Sequence, residues 1–199
     1  MKKKLIIPII AILVVLGLVA YIFENSKISK MYELVNLLES GHYYLDATYI
    51  LLGIETPIEI AVDGNNFDVE TKTFLGRTRL IFLENQAYLL NNNDLTISLV
   101  TKSNEDYLGL SEVVIEYNKY TKTGEGNANI PYTSDDNSYE YFEYSNKETD
   151  ATIRYYFKDN ELYCIQTLDT FIDNILIINE LNKNIPKDRL SLPMGYKEI

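Results

Sequence analysis

Tryptophan is missing from this 199-residue chain, and cysteine and histidine occur once each, as Cys164 and His42. A single cysteine excludes an intramolecular disulfide. One histidine and one cysteine so far apart do not make a zinc site of ordinary composition. Cys164 lies within the apolar run ELYCIQTL and reads as a small buried hydrophobe, not a reactive thiol. His42 opens a strand directly after a helix, which fits a strand-edge histidine better than a member of a Ser-His-Asp triad. The G-x-S-x-G elbow, the P-loop and the G-x-G-x-x-G fingerprint are all missing. TGEGNAN carries glycines, but no Lys-Ser/Thr follows it.

Positive charge is also scarce. The chain has 18 Lys and Arg against 29 Asp and Glu. Three of the basic residues are Lys2, Lys3 and Lys4; without them the balance is 15 against 29, a net charge of −14. Nucleic-acid binding needs basic patches, so that class is excluded. Tight adhesion to anionic lipid head groups is disfavoured for the same reason.

The leading lysines precede an uncharged apolar run, Leu5 to Phe23. As a helix it would be about 28 Å long, close to the ~30 Å of a bilayer's hydrocarbon core. The run is longer than the apolar region of a cleaved secretory signal, and Leu18-Val19-Ala20 is a poor cleavage site. The reading is an uncleaved signal anchor, with Leu5, Ile10, Val15 and Phe23 facing lipid. The positive-inside rule places the N-terminus in the cytoplasm and the remainder outside a bacterial cell membrane. Residues 1–27 are thus stub, anchor and spacer, and residues 28–199 form the extracytoplasmic domain.

Beyond the spacer, Met31, Leu34, Val35 and Leu38 recur at helical spacing before Gly41, predicting a helix over Ser29–Ser40. Strand signals follow at intervals of roughly 8–12 residues. In IEIAV, Ile58, Ile60 and Val62 share one face. Asp63-Gly64 is a hairpin turn, and Asn91-Asn92-Asn93-Asp94 and Asp159-Asn160 are turn-tolerant in the same way. In FDVETKT, Phe67 and Val69 point one way and Asp68, Glu70 and Lys72 the other, so the second face is expected to meet water. In TRLIFLE, by contrast, Leu80 and Phe82 lie on one face and Ile81 and Leu83 on the other, so something must cover both sides. Leu110, Val113, Val114 and Tyr117 predict a second helix, from about Leu108 to Tyr120. Thr123–Ser138 reads as a long surface loop, followed by strands at 139–144, 151–158, 162–168 and 172–179. The Pro-containing tail reads as an extended cap. These elements predict an α+β fold.

Carboxylates are plentiful, but none stands out as an acid–base pair. Glu59 and Glu70 face each other across the Asp63-Gly64 hairpin and alternate with apolar residues, which makes them the wet face of a strand. Asp135-Asp136-Asn137 lacks the spacing of a calcium loop. Tyrosine is in excess, with 17 residues. Tyr139, Tyr141, Tyr144, Tyr155, Tyr156 and Tyr163 cluster late in the chain, as suits cross-strand packing or a half-wet binding surface.

The order of pieces resembles the LolA-like group of exported proteins. That group includes lipoprotein carriers, mycobacterial glycolipid-binding lipoproteins, periplasmic stress sensors and spore-envelope lipoproteins. The resemblance rests on IEIAVDGNNFDVETKT, on TRLIFLENQAYLLNNNDLTISL, on IRYYFKDNELYCIQTL and on the ending PKDRLSLPMGYKEI, and it spans Ser29 to Ile199. It implies a curved, incomplete antiparallel β-barrel of about ten strands behind the transmembrane helix, with helices on the concave face. It implies a non-enzymatic protein without a cofactor, binding a lipid or acyl chain in the half-barrel. Candidate cavity residues are Leu80, Ile81, Phe82, Leu83, Leu89, Tyr141, Tyr155 and Tyr156. This chain lacks the lipobox cysteine of the lipoprotein members, so its link to the bilayer is the N-terminal helix. The alternative is an adaptor for an exported protein partner at the cell or spore envelope, such as a cell-wall amidase, or a homodimer formed by strand exchange hinged at Thr123–Ser138. The acidic, Tyr-, Asn-, Lys- and Ile-rich composition suits a Gram-positive cell.

Overall fold

In a computed structural model of the full chain, the structure describes residues 27–34, 36–38, 40–74, 76–100, 120–149, 151–168 and 173–199. These residues form one helix and a single twelve-stranded sheet. The helix, α1, is formed by residues 27–38, of which 35 lies outside the description. Six strands come before residue 101: β1 (His42–Leu51), β2 (Ile54–Asp63), β3 (Asn66–Thr73), β4 (Gly76–Leu83), β5 (Gln86–Asn91) and β6 (Thr96–Val100). Six follow residue 120: β7 (Thr121–Asn129), β8 (Ser138–Ser145), β9 (Thr152–Lys158), β10 (Glu161–Leu168), β11 (Asn174–Asn182) and β12 (Lys197–Glu198).

The order across the open, curved sheet is β12-β6-β5-β4-β3-β2-β1-β11-β10-β9-β8-β7. Two antiparallel meanders are joined where β1 meets β11, with Tyr49 opposite Leu176 and a register shift at Asp46/Ala47. The hairpins close where the sequence tolerates positive φ. Glu84-Asn85 have φ of 49° and 68°, and Asp159-Asn160 have 52° and 66°, as a type I′ turn requires at both central residues. Gly41 has φ of +62° and its N–H donates to the Leu38 carbonyl, which ends α1 where the glycine signal puts it.

Register assigns each side chain to one of two faces. On the helix face, Met31 and Leu34 of α1 pack against Phe142, Tyr144, Ile153, Tyr155, Phe157 and Ile165. Leu37 and Leu38 extend this contact to Tyr43, Leu45, Ala47 and Ile60. Farther along the same face Phe67 stacks on Phe82, with ring centroids 5.2 Å apart. On the opposite face the C-terminal tail crosses the first meander. There Ile81, Leu90 and Ile97 are buried with Tyr196 against them. The two-sided apolar pattern of β4 is thus explained for its second face, because residue 196 of the tail packs over it.

The α+β expectation is corrected. The described chain is mostly β, with twelve strands instead of about ten and one short helix. The helix expected over Leu108–Tyr120 falls, but for Tyr120, outside the described residues. So does the expected anchor, with Leu5, Ile10, Val15 and Phe23; among the described residues no helix is long and apolar enough to cross a membrane. Of the loop expected over Thr123–Ser138, the first part, to Asn129, is instead strand β7, and only 130 to 137 remains loop. TKTGEGNAN has poor strand propensity, but pairing with the aromatic strand β8 overrides it. Gly126 lies opposite Tyr141, and a β-carbon there would come 3.1 Å from the tyrosine hydroxyl, so the ring occupies the space that the glycine leaves.

Candidate functional site

Two arrangements stand out, one on each face. On the helix face a groove of about 510 Å³ opens between α1, the β9–β10 turn and the end of β11. Its apolar floor is Leu34, Leu37, Leu162, Ile178 and Leu181. Lys30 and Glu33 of α1, Asp159 of the β9–β10 turn and Glu161 of β10 supply its polar edge. The helical period creates this division. Lys30, Glu33, Leu34 and Leu37 stand one turn apart on the groove side of α1, while Met31, fully buried, holds the helix to the sheet. Lys27 fixes the start of the helix by an ion pair to Glu140 of β8.

One ion pair crosses the mouth. Lys30 Nζ lies 3.2 Å from Glu161 Oε2 on β10 and 3.5 Å from Glu33 Oε2 on its own helix. Glu161 foremost, and then Glu33, hold the Lys30 ammonium above the ordinary lysine range. Exposed pairs of this kind contribute little because solvent screens them, so this link can open.

On the tail face a buried ionic cluster pins the C-terminus. Glu59 and Glu70 are directly opposite on β2 and β3. Asp68 is fully buried, and Arg79 of β4 donates to both of its oxygens at 2.9 Å. Arg189 enters from the tail and donates to Glu70 Oε2 at 2.8 Å, to Asp68 and to Glu59. Arg79 also donates to the backbone carbonyls of Asp188 and Arg189. Burial pushes the Asp68 carboxyl up to about 6, against the downward pull of Arg79. The expectation that Asp68, Glu59 and Glu70 form a wet face is therefore corrected for a physical reason: a distant segment brings a guanidinium onto them. Every carboxylate of this cluster is consumed by an internal partner, which marks it as structural. Among the described residues no group of three or more His, Cys, Asp or Glu side chains is arranged to hold a metal ion.

The residues named from sequence separate by face. Leu80 and Phe82 lie on the helix face in the Phe67 cluster, and Tyr155 lies there under α1. Leu89 shares that face and is 40% exposed. Ile81 and Leu83 lie under the tail. Tyr141 and Tyr156 lie on the tail face of the second meander, around Ile130 and Cys164. None of them lines the groove. The groove residues were missed because each is unremarkable alone: Leu34 reads as helix core and Asp159 as part of a turn, and Leu37 and Glu161 carry no signal of their own. The signal that was available was the charge at Lys30 and Glu33 flanking an apolar stripe. Arg189, in a proline-flanked tail, gave no sequence signal.

No family model matches the sequence, and no sequence relative is found among curated proteins. Solved structures with a similar chain path include LprF from Mycobacterium bovis, at 10% identity and a TM-score of 0.48 over 85% of this chain and 97% of that one. An uncharacterized conserved protein from Thermus thermophilus has 10% identity and a TM-score of 0.46, over 85% of this chain and 98% of that one. The Mycobacterium tuberculosis lipoprotein LppX has 8% identity and a TM-score of 0.45, over 82% of this chain and 99% of that one.

Proposed function

We propose that this chain is an exported, membrane-tethered binding protein, not an enzyme, that takes up the apolar chain of an amphiphile in the groove beside α1. The observation that carries this reading is the groove itself, with its floor of leucine and isoleucine and its charged rim. Its volume of about 510 Å³ falls within the roughly 300–1,000 Å³ typical of small-ligand sites. The sequence resemblance to LolA-like exported proteins points the same way. The apolar run Leu5–Phe23 behind three lysines supplies the tether, with the sheet on the extracytoplasmic side.

Native mass spectrometry of the full chain, before and after lipid extraction, tests the reading. An adduct of amphiphile mass is expected on the extracted membrane protein, and Leu162→Asp should abolish it. A clean apo mass for both proteins would count against the groove. Protease accessibility of the sheet on intact cells tests the topology: cleavage from outside is expected, and protection contradicts it.

A second reading, an adaptor for an exported protein, has its own observation. A hollow of about 260 Å³ on the tail face is lined by Tyr88, Ile97, Leu99, Leu192 and Ile199. Leu99 is 57% exposed and Ile199 75% exposed. Pull-down from cell envelopes with wild type and with Leu99→Asp discriminates, since a partner held here would be lost from the variant alone.

A further inference from the structure

The two ends of the first meander differ in what their turns carry. Strands β1, β3 and β5 run toward one end, and the turns that follow them hold Leu52, Phe74 and Leu95, all exposed. Ile54 stands exposed beside Leu52. The tail adds Met194 at the same end. Two residues further on, the Tyr196 hydroxyl donates to Asn92 of the β5–β6 turn, and the Lys197 N–H donates to the Leu95 carbonyl. Phe74 is 94% exposed and Met194 99%. At the opposite end the turns are Gly64-Asn65 and Glu84-Asn85, which are exposed and polar.

Turn chemistry does not ask for these apolar tips. Leu52 and Leu95 have φ of 53° and 51°, in the left-handed region that favours glycine, asparagine and aspartate. A bulky side chain held there without burial is a strained position of the kind that gathers at functional sites. The charges at this end also differ from those of the chain. Lys72 and Arg77 are directly opposite each other below Phe74, both exposed, with Arg77 also reaching Glu70 at 3.4 Å. Lys197 is exposed by the tail turn, and Glu55 and Asp94 are the acidic residues beside them. Three cations thus stand against two carboxylates, in a chain whose formal net charge is −11. The helix is oriented toward this end as well. Leu37 and Leu38 pack with Tyr43 and Leu45 at the start of β1, far from Leu52. Register carries Leu51 across the sheet to Asn174, Thr167, Ile153 and Tyr144, and the last two belong to the cluster under Met31. The apolar run Leu5–Phe23 therefore precedes the end of α1 that lies toward these turns.

Resting on the tethered reading but not on the groove, we propose that this end of the first meander docks on the bilayer surface, with Leu52, Phe74, Leu95 and Met194 entering the boundary between headgroups and acyl chains. The occupant follows from how the tips are spread. They stand on four separate turns, and neither the groove nor the tail-face hollow is lined by any of them. A protein partner requires a continuous, closely packed surface. A fluid lipid boundary takes in apolar side chains one by one. Lys72 and Arg77 lie behind Phe74, at the depth where lipid phosphates would meet them. The contact is chiefly apolar, so the acidic chain does not oppose it on a zwitterionic surface.

Tryptophan fluorescence tests this, because the chain has no tryptophan of its own. The full chain carrying Phe74→Trp is reconstituted in dioleoylphosphatidylcholine vesicles, with and without brominated acyl chains. Its emission should fall about twofold with the brominated lipid, since the tips would reach roughly 5–10 Å into the boundary. Asn65→Trp, at the polar end, holds the same tether and should not be quenched. Adding Leu52→Asp with Leu95→Asp to the Phe74→Trp chain should abolish the quenching; aspartate tolerates positive φ, so the turns are kept. Flotation with the vesicles reports the tether separately. A chain that floats with the Phe74→Trp indole unquenched, or with both indoles quenched alike, overturns the docking and leaves the tether. Quenching that survives the two aspartates overturns the joint action of the tips. A chain that does not float overturns tether and docking together.

Discussion

Arg189 donates from Nη1 to Glu70 Oε2 at 2.8 Å, joining the C-terminal tail to the third strand of the sheet. The same guanidinium reaches Glu59 and Asp68, and only 6% of the residue is exposed. The tail is therefore part of the fold, held by an ion cluster that shields one face of the first meander.

Removing Arg189 takes a guanidinium away from Glu59 and Glu70, beside Asp68, which Arg79 still holds. Breaking a buried pair from one side costs on the order of 3–5 kcal/mol, and the partial exposure of Glu59 lowers this toward ~2–4 kcal/mol. Arg189→Ala should lower the denaturation midpoint accordingly and expose the tail to limited proteolysis. Arg189→Lys should recover only part of the loss, because an ammonium cannot reproduce the fork that spans the three acids.

Asp68 makes an unusual pH prediction. Its carboxyl is raised to about 6, above the ~3.9 of an unfolded aspartate. The native state therefore binds the proton more tightly. This group's stabilisation is complete below about pH 4 and is lost as pH rises through about 6. Stability of the wild type relative to Asp68→Asn should accordingly increase as pH falls from 7 to 4. Glu125, lowered by Lys122, and Asp135, lowered by the Tyr139 hydroxyl, act in the opposite sense. Their contributions are present above the unfolded carboxylate range and lost on acidification below it. A difference curve flat between pH 4 and 7 would contradict the assignment.

Much of the sheet was legible from local pattern, and the reasons are visible in single elements. IEIAV and FDVETKT alternate, and Asp63-Gly64 turns between them, so β2 and β3 follow from period and turn chemistry alone. Strand β7 did not, because its glycines and asparagines are strand-like only against the tyrosines of β8. The site was less legible than the fold. The groove forms where Leu34, Leu162 and Ile178 converge from α1, β10 and β11. No local window contains all three. The wet face assigned to Asp68 failed in the same way, since its cover is Arg189.

Met31 has no exposed surface and locks α1 onto Phe142 and Tyr155. Met31→Ala should cost about 2–5 kcal/mol through lost burial and the cavity left behind. Because the cavity lies under the helix that walls the groove, ligand affinity should fall with stability. Chemical denaturation and decanol titration on one preparation check both effects.

Cys164 is fully buried, and burial pushes its thiol well above the ordinary cysteine range. The native protein should resist thiol reagents, and modification should proceed at the rate of opening, accelerating with denaturant. Rapid labelling of the folded chain at pH 7 would contradict the packing of β9, β10 and β11.

The central claim is that the groove beside α1 holds an apolar chain. Methyl NMR of the full chain, with leucine and isoleucine labelled and titrated with decanol, tests it most directly. Saturable shifts are predicted at Leu34, Leu37, Leu162, Ile178 and Leu181, with Leu99, Leu192 and Ile199 unmoved. Shifts confined to Leu99, Leu192 and Ile199, or none at saturating ligand, would contradict it.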